Sequence, residues 1–190
     1  EKWFHDTVDE MMKWVDHAVS HARSRDASIT ELEFPYEYRK GQKQMAACVY
    51  KAIEGERRLF VQAPTGIGKT MAAMFPSVKA FATGLVSKIF YLTAKTIAGT
   101  VPDQALTLLR ERGVKFSSVM LTAKEKICLN ETMECDAEHC PYAKGHFDRV
   151  NDALFELITQ EEKMDREIIR AYAKRYQVCP FELGLDASLF

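Results

Sequence analysis

Residues 63–70 read APTGIGKT, an order of small residues, lysine and threonine suited to gripping a polyphosphate. Gly66 and Gly68 carry no Cβ, so backbone N–H groups can close on phosphate oxygens there. Ala63 stands where the stricter pattern has Gly, and Pro64, Thr65 and Ile67 complete the loop. Lys69 has the length and charge to reach the β and γ phosphates, and the Thr70 hydroxyl can bind Mg²⁺. An apolar run precedes the loop and a helical pattern follows it. A helix starting there would aim its partly positive N-terminus at the same oxygens. These residues define a nucleotide site.

The second group is made of thiols. Cys128, Cys135 and Cys140 fall within thirteen positions of "CLNETMECDAEHC", and thirty-eight residues separate Cys140 from Cys179. Structural zinc sites usually present paired C-x₂₋₄-C knuckles, and only Cys135 and Cys140 come near that spacing. One tight group plus a distant fourth thiolate is compatible with a [4Fe–4S] cluster. On residue chemistry alone zinc and cluster stand level, and His139 could replace one thiolate. The fifth cysteine, Cys48, falls on an apolar helical stripe and reads as a core residue.

Periodicity supplies the elements that must hold these groups. Phe4, Val8, Met11, Val15, Ala18, Val19 and Ala22 recur at helical spacing, predicting an amphipathic helix over 2–23 that packs its stripe on the domain. A second helix is expected over 39–54. The runs at 57–63, 88–94 and 116–122 read as buried parallel strands, alternating with helices after the phosphate loop and over 98–113. That order predicts an α/β fold: a P-loop NTPase parallel sheet flanked by helices. After Thr122 the cysteine stretch lacks any period, and two helices follow, "FDRVNDALFELIT" and "MDREIIRAYAKRY". The expected organisation is an N-terminal helix and linker (1–33), a partial nucleotide-binding domain (34–122) and a small, mostly helical four-cysteine domain (123–190).

Composition narrows the classes. The chain is 47% hydrophobic and 28% charged, as in ordinary globular proteins, with a formal net charge of −1. That balance argues against a uniformly basic nucleic-acid binder and leaves room for a local basic groove. No apolar stretch approaches the roughly 20 residues that span a bilayer, and the charged N-terminus does not read as a signal peptide. A cytoplasmic location without membrane contact is expected, where disulfides are rare. The chain opens on Glu1 and stops at "LDASLF" with no turn or tail signal, which reads as a fragment of a longer protein.

With "FPYEYRKGQKQM" (34–45) upstream of the loop and "YLTAKT" (91–96) downstream, the sequence resembles superfamily 2 helicases, specifically the XPD/DinG-type iron–sulfur DNA helicases. The resemblance covers residues 34–190. It implies that Arg39 and Gln42 belong to an adenine-recognition segment, a task suited to an amide that both accepts and donates. Thr93, Lys95 and Thr96 would contact the DNA backbone, a phosphate chemistry rather than a base-reading one. The same resemblance makes Cys128, Cys135, Cys140 and Cys179 the ligands of a [4Fe–4S] cluster in an insertion that wraps single-stranded DNA. Lys124 and Lys126, flanking the first ligand, are the leading DNA contacts there, with Tyr142, Lys144, His146 and Arg149 as further basic or aromatic neighbours.

The implied protein is an ATP-dependent DNA helicase moving 5′ to 3′ with ATP and Mg²⁺, of the kind that serves DNA repair. It would act on single-stranded DNA or a fork, with the remaining helicase domains on the same polypeptide. The chain departs from the family in having no D-E-x-H or D-E-A-D-like acidic motif. A non-catalytic nucleotide- and metal-binding or redox-sensing module is the rival reading. A small-molecule P-loop kinase would leave the cysteines unexplained.

Overall fold

The computed structural model describes residues 1–93 and 100–190. They form two compact units: Ser20–Lys115, here the loop unit, and Glu1–Val19 with Phe116–Phe190, here the cysteine unit. Helix α1 (Lys2–Thr30) gives its residues up to Val19 to the cysteine unit and the rest to the loop unit. No helix among the described residues is long and apolar enough to cross a membrane.

The loop unit is built on α2 (Gln42–Glu54), α3 (Lys69–Ala82) and α4 (Thr100–Glu111). α3 is apolar almost all round and buries Met71, Ala72, Met74, Pro76, Val78 and Ala80, as a helix enclosed by neighbours must. α2 packs on it through a face that starts at buried Gln42 and Ala46 and continues through Met45, Val49 and Ile53. Cys48 falls between the rows of that face and is exposed, so the expected core role is corrected. Lys79 donates to the carbonyls of Ile29 and Thr30, both at 3.0 Å, neutralising orphan acceptors at the C-terminal end of α1.

Two of the expected strands do not form among the described residues. Residues 57–63 and 88–93 are in no helix or strand, and Phe60 and Leu92 are 93% and 89% exposed. A continuous apolar run records what a segment is suited to bury. It becomes a parallel strand only where ladder neighbours flank it and helices cover both faces. Among the described residues neither run has a ladder partner. Residue 94, the last of the second run, lies outside the described residues.

In the cysteine unit the expected strand at 116–122 shrinks to β1 (Ser118–Val119). It pairs in parallel with β2 (Lys163–Met164), a strand too short to leave a pattern in the sequence. Around this ladder stand α5 (Lys124–Ile127), α6 (His146–Gln160), α7 (Arg166–Tyr176) and α8 (Pro180–Ala187). Their shared core holds Ile127, Leu154, Leu157, Met164, Ile169 and Leu183. Asp165 caps α7 by accepting from the N–H groups of Glu167 and Ile168, each at 3.1 Å. α8 follows a pre-organised start, with Pro180 in its first turn.

α1 also departs from expectation. It runs seven residues beyond 23, and its stripe of Phe4, Val8, Met11, Val15 and Val19 is exposed. Within the cysteine unit the helix is held by another face. The Trp14 ring meets Phe155 edge-on at 5.0 Å and lies 5.1 Å from Phe190. Two large aromatic contacts outweigh a row of smaller side chains in deciding which face is covered.

Candidate functional site

In the loop unit the chain turns at Gly66 and Gly68, with φ of +84° and +78°, and α3 begins at Lys69. The two glycines are required for different reasons. A Cβ at Gly66 would meet nothing within 4 Å, so there the left-handed backbone alone favours glycine. A Cβ at Gly68 would stand 2.3 Å from Gln42 Nε2, so that position also needs the space. Gly68 offers no capping side chain, which leaves the first N–H groups of α3 to a ligand or solvent. Anions are favoured at such an end.

Three side chains hold this turn from beside and beneath. Gln42, 3% exposed, donates through Nε2 to the Gly68 carbonyl at 3.2 Å and accepts through Oε1 from the Arg39 N–H at 3.1 Å. The Arg39 guanidinium donates to the Gly66 carbonyl. Lys69 folds its ammonium back onto the carbonyls of Ala63 (3.1 Å) and Pro64 (2.9 Å). Arg39, Gln42 and residues 63–70 therefore form one cluster, with Thr65 exposed and Ile67 and Thr70 half-buried. An amide has two N–H donors and two acceptor lone pairs, so Gln42 keeps one of each after its two bonds. Thr93 is exposed, while Lys95 and Thr96 lie outside the described residues.

In the cysteine unit Cys128, Cys135, Cys140 and Cys179 all line one cavity of about 260 Å³. Each arrives on a differently fixed piece of backbone. Cys128 closes α5, and Arg170 donates to its carbonyl at 2.9 Å and to that of Ile127 at 3.1 Å. Cys135 and Cys140 bracket a turn ordered by Asp136, whose carboxylate accepts from the N–H groups of Glu138 and His139. The His139 ring lies 2.8 Å from that carboxylate. The His139 backbone N–H, then its ring, hold the Asp136 carboxyl below its ordinary pKa. Cys179 is the residue just before α8, and its N–H donates to His146 Nδ1 at 3.2 Å. Burial pushes the Cys179 thiol up, outweighing the Glu182 and Phe181 backbone N–H groups and the Lys124 charge that favour the thiolate.

The cations and rings expected around DNA divide into two kinds. His146 is buried at 5% exposure, and burial lowers its pKa. Arg149 spends its guanidinium on the carbonyls of Lys144, Tyr176 and Gln177, stapling α6 to the end of α7. These two side chains serve packing in this structure. Lys124 points its ammonium over the Phe181 ring at 4.7 Å and pairs with Glu182 at 3.4 Å. Burial works to lower its pKa, but the Glu182 hydrogen bond and the charges of Cys135 and Cys179 hold it above the ordinary lysine value. Lys126 and Lys144 are exposed, and Tyr142 is half-buried.

Two contributors were not legible in the sequence. Asn130 donates through Nδ2 to Cys140 Sγ at 3.1 Å, and Arg170 pins the Cys128 backbone from forty-two residues away. Nothing in their spacing marks them. Among the described residues no three His, Cys, Asp or Glu side chains are arranged to hold a metal ion.

A phosphate-type loop opening a helix, latched by an Arg and a Gln from the preceding helix start, defines a nucleotide-binding protein of the P-loop class. Residues 39–163 match the DEAD/DEAH box helicase family, and the chain belongs to it. A probable ATP-dependent helicase of Methanocaldococcus jannaschii is 43% identical over 47 residues, which are 24% of this chain and 7% of that protein. The chain thus matches only a small part of that relative's length. No solved structure matches the chain. Membership places the chain in the helicase superfamily and gives it a nucleotide site; of parallel sheet, the described residues hold the two-stranded β1–β2 ladder.

Proposed function

We propose that this chain forms the ATP-binding and iron–sulfur portion of an ATP-dependent DNA helicase of the XPD/DinG type, moving 5′ to 3′ on single-stranded DNA or a fork. The observation that carries the reading is the convergence of four thiols, from positions 128 to 179, on one cavity. A single tetrahedral ion needs its sulfurs within about 2.3 Å of one point. A [4Fe–4S] cluster, with irons at alternate corners of a cube and one thiolate on each iron, spreads its thiolates more widely. Four thiols around one shared cavity supply the donor set that such a cluster takes.

In this reading Cys128, Cys135, Cys140 and Cys179 hold the [4Fe–4S] cluster, which when bound supplies a covalent cross-link among α5, the 135–140 turn and α8. The protein works in the cytoplasm, where thiols stay reduced. In the loop unit Lys69 leaves the Ala63 and Pro64 carbonyls for the β and γ phosphates of ATP, and Thr70 turns its hydroxyl to Mg²⁺. Gln42 reads adenine with the donor and acceptor it has left, and Arg39 keeps Gly66 in place. Thr93, Lys95 and Thr96 contact the DNA backbone, and Lys124 and Lys126 track the strand beside the cysteines. Further helicase domains on the same polypeptide complete the enzyme.

Anaerobic purification followed by iron and sulfide analysis tests this directly. About four irons and a brown colour are expected. A colourless protein holding one zinc would overturn the cluster and with it the XPD/DinG assignment.

A further inference from the structure

The Asn130 amide does not line the thiol cavity, yet its Nδ2 lies 3.1 Å from the sulfur of buried Cys140. Asn130 stands two positions after Cys128 on backbone that Arg170 grips at two successive carbonyls, so its side chain starts from a fixed point. The orientation is chemically determined once Cys140 is a thiolate. A ligating sulfur only accepts, so the amide must turn its N–H₂ toward it and its oxygen away. A hydrogen bond to a ligand sulfur draws electron density from the metal and favours the state with one more electron.

We propose that Asn130 is a positioning residue for the iron–sulfur site, fixing the Cys140 thiolate and raising the reduction potential of the group it holds. This rests on the cluster reading above and extends it to a residue outside the ligand set. Asn130 has no part in the nucleotide site, which belongs to the other unit.

The test uses the full chain reconstituted anaerobically with ferrous iron and sulfide, then titrated with dithionite while visible absorbance and the electron paramagnetic resonance signal are followed. Asn130→Leu keeps the size and removes the donor; Asn130→Ala removes both; Asn130→Gln keeps an amide. Iron content near that of the wild type, a lower midpoint potential in Asn130→Leu and Asn130→Ala, and a smaller displacement in Asn130→Gln are expected. Loss of iron from Leu and Ala with retention by Gln would support the same bond as one the site needs to form. An unchanged midpoint in a fully loaded Asn130→Leu overturns the inference and leaves the cluster intact, as does loss of iron from all three variants, which would make Asn130 a folding residue. A wild-type chain that takes up no iron and sulfide removes the cluster reading itself, and this inference falls with it.

Discussion

Gln42 shows how one side chain carries two duties. Its amide is a strut under the phosphate loop before any nucleotide arrives, because Nε2 holds the Gly68 carbonyl. Replacing it therefore tests more than base choice. In Gln42→Glu the carboxylate cannot donate, and it faces the half-buried Gly68 carbonyl left without its partner. ATP affinity is expected to fall by roughly 5- to 150-fold, the 1–3 kcal/mol of an unsatisfied buried group, with GTP affinity falling alongside. Titration calorimetry with both nucleotides measures this; an effect on ATP alone would mean that Gln42 reads the base without supporting the loop. Gly68→Ala strikes the same contact from the other side. The new Cβ meets Gln42 Nε2 in a left-handed backbone that costs an L-residue about 1–2 kcal/mol. Gly66→Ala, with open space around it, should keep the Gln42 contact and lose less nucleotide affinity. The cysteines give a sharper contrast. Serine at Cys128, Cys135, Cys140 or Cys179 should bleach the protein, whereas Cys48→Ser, on an exposed helix position, should leave its absorbance unchanged.

Individual elements are stabilised by unequal means. α6 is the central support of the cysteine unit, with Ala153, Leu154, Leu157 and Ile158 in its core. Leu157 is fully buried, so Leu157→Ala should cost about 2–5 kcal/mol in urea unfolding. α7 depends on its cap: Asp165→Ala leaves the Glu167 and Ile168 N–H groups unpaired and should cost about 1 kcal/mol. If the two losses were equal, the core would be no better packed around Leu157 than the helix end is around Asp165. Both variants should retain nucleotide binding, since Lys69 and Gln42 belong to the loop unit.

At the scale of the molecule, the nucleotide site holds a lysine and a threonine but no D-E-x-H or D-E-A-D-like acidic motif in the 190 residues. Phosphoryl transfer needs an acidic residue on Mg²⁺, a group orienting water and usually an arginine finger. Such groups act by fixed electrostatics, so their loss costs orders of magnitude rather than fractions. The 190-residue chain is expected to bind ATP and hydrolyse it negligibly. Polypeptide that also carries the other helicase domains should show DNA-stimulated hydrolysis, abolished by Lys69→Ala. Robust turnover by these 190 residues alone, lost in Lys69→Ala, would show that the acidic motif is dispensable here.

The sequence by itself determined the features written in local chemistry. Glycines at 66 and 68 permitted the left-handed turns, a lysine and threonine followed at the start of α3, and apolar residues spaced three and four apart set α2, α4, α6 and α7. The four cysteines were visible as a set of thiols, though their types and spacing left the occupant open. Tertiary structure decided what depends on a partner distant in sequence. Among the described residues it left 57–63 and 88–93 outside any strand, and it paired Ser118–Val119 with a two-residue strand that has no pattern of its own. It turned α1 onto Trp14 instead of the Phe4–Val19 stripe, and it started α8 right after Cys179. It also recruited Asn130, Arg170 and His146 to hold the cysteines in place. A strand, a covered helix face and a buried hydrogen bond each require two surfaces to meet, and a residue's own neighbours along the chain encode only one of them.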